Sequence, residues 1–308
     1  MSTAYAPRRA IPPIWARSGC LKVMFVGSQM WLDNCCAQAP ADGLQCAMVA
    51  TAGASARESP LELPAGFRAD VTVIFDPWAI RREELLALPG VTIGVLVKVP
   101  ADDVTPLPTA ALDRVVSFRP DLSGTAFLGA TVWRAIPPPV SDVMFADARR
   151  PHSSPRAMSV GRSTGHRERM LLPAKHHHDL LQVIHGVSGP SMIELLREYD
   201  VGVYVPSDVG GDFGPQVGMH LAAGQLLLSD TLAPAHGLER NIDYLHVGSP
   251  EELVWVLERI GRFPEIHQQM RVRGRLKAEQ FRASRLFGRL AHDALADVAA
   301  FGSDRVSA

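Results

Sequence analysis

A chain of 308 residues that is 47% apolar has enough material for two hydrophobic cores of ordinary size, and is long for one. Its formal net charge of −1 gives no global attraction to nucleic acid or to anionic membranes. No apolar run reaches the roughly 18–20 residues that a spanning helix needs, and the arginine- and proline-containing start, MSTAYAPRRAIPPIWARSG, lacks the apolar centre of an export signal.

In chain order, residues 1–20 read as a tail. The first strand candidate is LKVMFVG (21–27), followed by GLQCAMVATAG (43–53), ADVTVIFDP (69–77), VTIGVLVK (91–98) and DRVVSFRP (113–120). These runs are continuously apolar and β-branched, the pattern of strands covered on both faces in a parallel sheet. Between the third and fourth lies AIRREELLALPG, with Ile80, Leu85 and Leu88 at helical spacing, which completes a β-α-β unit. The four cysteines, Cys20, Cys35, Cys36 and Cys46, form no CxxC spacing and read as reduced thiols of a cytoplasmic protein. Gly27 stands without the further glycines of a dinucleotide fingerprint.

The stretch 133–158 holds five prolines and no long apolar run, and 141–156 reads as a linker between an amino-terminal domain over 21–140 and a second domain over 157–283. The second half repeats the pattern. AMSVGR (157–162) opens a strand and GHRERMLLPAKHH is partly helical. DLLQVIHG (179–186) is a strand, SMIELLREYD (191–200) a helix and VGVYVPS (201–207) a strand. Two short strands follow, GQLLLSD (224–230) and DYLHVGS (243–249). Ser249, Pro250 and Glu252 then mark a capped helix start. The fold class is α/β, with two Rossmann-like domains whose parallel sheets face a cleft, and two further helices after the capped one reach residue 300.

In such sheets, ligands lie at the carboxyl ends of the strands. Four junctions of the second domain carry glycine, hydroxyls and charge: 161–164, 185–189, 207–214 and 229–231. Gly161, Gly186 and Gly214 let backbone amides approach an anion at a helix start, and Arg162, Arg167 and Lys175 add positive charge. Arg162 and Arg167 read either as phosphate contacts or as solvated charges at a helix start. Asp212 and His220 read as donor contacts, or as a loop cap and a partly buried histidine. His185 with Gly186 reads as a binding loop or a tight turn, and Asp230 as site-lining or as a turn residue. His176, His177 and His178 cannot all face one ion from a helix. The arginines of 258–290 read as a solvated face, with anionic lipid or nucleic acid as the other possibility.

The order of these motifs resembles the donor domain of GT-B glycosyltransferases, closest to the retaining group 1 enzymes and their spore-maturation-type relatives. VGRSTGHRERM, HGVSGPSMIELLREYDVGVYV, DFGPQVGMHLAAGQLLLSD and HGLERNIDYLHVGSPEELVWVL carry the resemblance, over roughly 150 residues of the chain. It implies a hexosyl transfer from a nucleotide-diphosphate sugar to an acceptor, and a last helix and tail over 284–308 that cross back to the first domain. It implies no metal or other cofactor, no nucleic-acid partner, and a donor held by Gly161, Arg162, Arg167, His185, Gly186, Phe213, Gly214 and Asp230. The family's two glutamates, eight positions apart, fall on Gly211 and Met219. Asp212 and His220 are the nearest replacements and the candidate catalytic residues. The same departure fits a binding-only module that has lost turnover, and a donor epimerase is a further alternative.

Overall fold

The computed structural model describes residues 20–36, 43–51, 61–97, 111–124, 126–127, 130–148, 150–209 and 211–305. Residues 1–19 of the tail expected over 1–20, the ends of the strands expected at 43–53 and 91–98, and Gly210 of the 207–214 junction lie outside the described residues. The chain forms two compact units. Unit 1 comprises Met1–Leu32, Ala37–Pro137 and Ser284–Ala308, and unit 2 comprises Asp33–Cys36 and Pro138–Ala283.

Unit 1 contains a six-stranded sheet built from β1 (Leu21–Gly27), β2 (Leu44–Ala50), β3 (Val71–Phe75), β4 (Val91–Leu96), β5 (Arg114–Ser117) and β8 (Arg134–Ala135), in the order β2-β1-β3-β4-β5-β8. Every pairing is parallel, with Val23 opposite both Cys46 and Val71. The continuous apolar runs follow from this: β3, β4 and β5 are buried at every position. Helix α2 (Arg82–Ala87) buries Leu85 against Ile74 and Leu96. The last helix, α8 (Ala283–Phe301), packs Phe287 edge-on against Phe25 at 4.8 Å. Helix α1 (Gln29–Cys35) and a short hairpin, β6 (Ala126–Phe127) with β7 (Ala130–Thr131), also precede β8.

The proline-rich stretch is more than a connection. Trp133 N–H donates to Val115 O at 2.7 Å and Ile136 N–H to Ser117 O at 2.9 Å, so β8 continues the first sheet. Further on, Val140 and Met144 are buried in unit 2, where Val140 exchanges backbone hydrogen bonds with Phe281 and Ala283.

Unit 2 has a five-stranded, all-parallel sheet in the order β10-β9-β11-β12-β13. Its strands are β9 (Ala157–Val160), β10 (Leu181–Val183), β11 (Val201–Tyr204), β12 (Leu226–Ser229) and β13 (Leu245–His246). Helices α3 (Gly165–His178), α4 (Gly189–Glu198), α5 (Pro215–Ala222), α6 (Pro250–Arg262) and α7 (Gln268–Lys277) follow the strands. Two apolar clusters form its core. One contains Phe213, Val217, Leu221, Leu227 and Phe281, and the other Leu171, Val203, Leu228, Leu253 and Leu257.

The cap of α6 forms largely as its sequence implies: Ser249 Oγ accepts from Glu252 N–H at 3.1 Å with Pro250 at the first position. Glu252 reaches back one residue further than in a capping box, accepting from Gly248 N–H at 2.7 Å. The three consecutive histidines are in the last turn of α3, and His178 Nε2 lies 3.0 Å from Val254 O.

Candidate functional site

Strand order in unit 2 reverses between β9 and β11: the chain leaves β9 for β10 on one side and then crosses to β11 on the other. Crevices at the carboxyl ends of strands on either side of such a reversal are where open α/β sheets bind ligands. Three polar arrangements occupy this edge.

The first is the turn from β9 into α3. Gly161 has φ +146°, and a Cβ there would fall 2.7 Å from Arg167 Nη1. Only glycine admits both this backbone and this close approach. Arg167 is buried, donating from Nε to Val205 O at 2.7 Å and from Nη1 to Arg162 O at 2.9 Å. Its guanidinium therefore ties the ends of β9 and β11 together and lends positive potential from beneath the surface. Arg162 is exposed. Thr164 caps α3: its Oγ1 accepts from Arg167 N–H at 3.2 Å and donates to Ser207 O at 2.8 Å. A Cβ on Gly165, the first helical residue, would meet open space. Lys175 pairs with Glu168 at 2.9 Å, and Glu168 also accepts from Ser163 Oγ at 2.5 Å.

The second arrangement orders the loop into α5. Tyr204 Oη donates to Asp212 Oδ1 at 2.6 Å and accepts from Gly214 N–H at 2.8 Å. Burial, reinforced by the Asp212 charge, pushes the Tyr204 hydroxyl well above its usual range, so it remains a donor. Asp212 itself is exposed. Phe213 points inward, edge-on to His236 at 4.7 Å and against Phe281 at 5.4 Å. The expectation that Phe213 lines a ligand is thus corrected: it anchors the loop whose backbone opens α5. The Gly214 amide is likewise engaged by Tyr204, a feature that glycine spacing alone does not reveal.

The third arrangement joins the end of β12 to the start of α3. Asp230 Oδ2 lies 3.0 Å from His166 Nε2, and Asp230 Oδ1 accepts from Thr231 N–H at 2.6 Å. His166 is the functional candidate that sequence reasoning missed. Its signal was a histidine one residue past the Gly165 that opens the helix, at a sheet edge already suspected. Nearby, His246 takes a hydrogen bond at Nδ1 from Arg240 at 2.8 Å, and burial followed by the Arg240 charge lowers its pKa.

His220 is corrected outright. It is wholly buried, its Nδ1 2.6 Å from Gln225 Oε1, and a Cβ on Gly202 would collide with its ring. Desolvation lowers its pKa to about 4, so it is a neutral core histidine with no atom at the surface. The family's glutamate positions are closed as well. Gly211 has φ +83°, and a Cβ there would lie 2.6 Å from Thr231 O. Met219 is buried. His185 and Gly186 lie on an exposed loop after β10; the adjoining Ser188 Oγ donates to Asp33 Oδ2 at 2.9 Å within unit 2. The structure therefore brings Gly161, Arg162, Arg167, Asp212, Gly214 and Asp230 to the carboxyl ends of β9, β11 and β12, with Phe213 beneath and His220 in the core. Among the described residues, no group of three or more His, Cys, Asp or Glu side chains is arranged to hold a metal ion.

No family model and no curated protein matches the sequence. Solved structures do match the fold. One is an alpha-glucosyltransferase in complex with UDP and a 13-mer DNA containing a HMU base, 8% identical, covering 90% of this chain and 100% of that one with a TM-score of 0.59. Another is sucrose-phosphate synthase from Thermosynechococcus elongatus, 11% identical, covering 90% of this chain and 99% of that one with a TM-score of 0.55. At such identities the likeness is one of architecture. With its two all-parallel principal sheets, the chain has the α/β fold of GT-B glycosyltransferases.

Proposed function

We propose that this protein is a glycosyltransferase of the spore-maturation-type group, moving a sugar from a nucleotide-diphosphate donor to an acceptor without a metal ion. The observation that carries this reading is the polar carboxyl edge of the second sheet, where Arg162, the start of α3 and the His166–Asp230 pair adjoin the β9/β11 reversal. The first amides of α3 and the positive end of that helix suit a diphosphate, and Arg162 supplies a mobile counter-charge. Arg167 adds potential from below while tying the two strand ends together at a set spacing. Stabilising the departing diphosphate in this way lowers the barrier to breaking the anomeric C–O bond. Asp212 and the His166–Asp230 pair are the polar groups placed to orient donor hydroxyls. A cytoplasmic location belongs to the same reading. Among the described residues, no helix is long and apolar enough to cross a membrane.

A second reading, a nucleotide-sugar-binding module without turnover, is favoured by the closed glutamate positions at Gly211 and Met219. The two separate in a single set of measurements. Isothermal titration with UDP, GDP and their common sugars tests binding, and release of nucleotide from the bound donor tests turnover. Transfer requires both, in the presence of a chelator. Binding alone selects the module, and a folded protein that binds none of these ligands refutes both.

A further inference from the structure

Helix α6 has two apolar faces where a surface helix ordinarily has one. The inner face, Leu253, Val256, Leu257 and Ile260, is buried in the unit 2 core. On the outer face Trp255 is 54% exposed and, past the helix end, Phe263 is 61% and Ile266 39% exposed. With Glu258, Arg259 and Arg262 these side chains line an open groove of about 580 Å3. Trp255, Arg259 and Arg262 lie one helical turn apart, and Phe263 and Ile266 in the turn after the helix extend the same groove lining, so the apolar tips and arginine heads form one stripe.

The charges on this stripe are sorted. Arg262 pairs with Glu258 at 2.5 Å, and Glu265 lies 4.0 Å from Arg150. Arg259 lies over the Trp255 ring at 5.3 Å. Burial, with help from Arg259 and Arg271, lowers the pKa of neighbouring His267. Two arginines and one glutamate line the groove, an excess of one positive charge beside its exposed apolar tips. An indole and a phenyl ring with arginines at their flanks are the composition of a membrane-interface contact: the rings enter the headgroup layer and the guanidiniums meet phosphates.

We propose that this stripe docks the protein peripherally on an anionic lipid surface, with Trp255, Phe263 and Ile266 inserted and Arg259 and Arg262 on the headgroups. The site is separate from the strand-end edge and does not rest on the transferase reading.

Co-sedimentation of the full chain with vesicles tests it, using phosphatidylcholine alone and phosphatidylcholine mixed with phosphatidylglycerol. Wild type is expected to bind the mixed vesicles, with a blue shift of tryptophan emission that Trp255→Ser abolishes. Trp255→Ser/Phe263→Ser is expected to bind at least tenfold more weakly at unchanged far-UV circular dichroism. Arg259→Gln is expected to lose about fivefold on mixed vesicles and little on neutral ones. Failure of wild type to bind either vesicle overturns the proposal, as does equal binding by the double variant. Trp255-dependent dimerisation by light scattering, without vesicle binding, also overturns it by assigning the stripe to a second copy.

Discussion

The two sheets share a parallel plan but place the polar ties described here at different edges. In unit 1 these gather at the amino ends of the strands. Asp113 Oδ2 accepts from Thr92 N–H at 2.7 Å, Thr72 Oγ1 donates to Pro89 O at 2.7 Å, and Arg114 reaches Asp297 of α8 at 2.5 Å. In unit 2 an amino-end tie also exists, where the fully buried Asp200 carboxylate accepts from His152 and Arg156. The carboxyl edge adds the Arg167, Tyr204–Asp212 and His166–Asp230 arrangements. Ligands in this fold class meet the carboxyl edge. Polar groups at the amino edge therefore hold the sheet to its surroundings, and those at the opposite edge can serve chemistry.

Substitutions at the two edges should separate stability from binding. The largest effect is expected at Arg114→Met, which leaves the Asp297 carboxylate without its partner and the Gly302 carbonyl without its donor. Chemical denaturation should show a loss of about 3–5 kcal/mol, with nucleotide affinity of the remaining folded protein unchanged. A large change in affinity would break the division of labour between the edges.

His220 belongs to neither edge and is expected to act through pH. Its folded pKa of about 4 lies below the ordinary value of 6.5, so the unfolded chain binds a proton that the folded one refuses. The stability it protects is complete above pH 6.5 and is lost as pH falls towards 4, by about 3 kcal/mol over the window. Urea unfolding across this range should be steeper for wild type than for His220→Gln; equal slopes would contradict a buried neutral imidazole.

Arg167→Met is expected to affect both quantities. Two carbonyls lose their donor, at about 2 kcal/mol in unfolding experiments, and diphosphate affinity should fall at least tenfold as the two strand ends drift apart. A loss of stability with intact affinity would restrict Arg167 to architecture. The smallest expected change in stability, under about 1 kcal/mol, accompanies His166→Ala, together with roughly tenfold weaker nucleotide binding, a free-energy change of about 1.4 kcal/mol. Unchanged binding there would remove the His166–Asp230 pair from the site.

Strands were the most legible feature of the sequence because runs such as VTVIF and VTIGVL are covered on both faces. Helix α1, QMWLDNC, gave no signal: seven residues are too few to show a helical period. β8 escaped notice because two residues just ahead of Pro137 carry no pattern, and its place in the sheet comes from backbone pairing with β5. The edge carrying the site was legible from its glycines and charges, but the engagement of individual groups was not. His166 meets a partner 64 positions away. His220 looked polar in the sequence, whereas Gly202 leaves room for its ring and Gln225 holds its Nδ1.

Arg167 grips the main chain at residues 162 and 205 rather than their side chains. The clamp is therefore indifferent to what residue 162 is, whereas Gly161 and Arg167 must be inherited together. In a saturation library sorted only for folded protein, residue 162 should drift freely while 161 and 167 hold. Any constraint that appears at 162 once the library is sorted for activity then comes from the substrate alone.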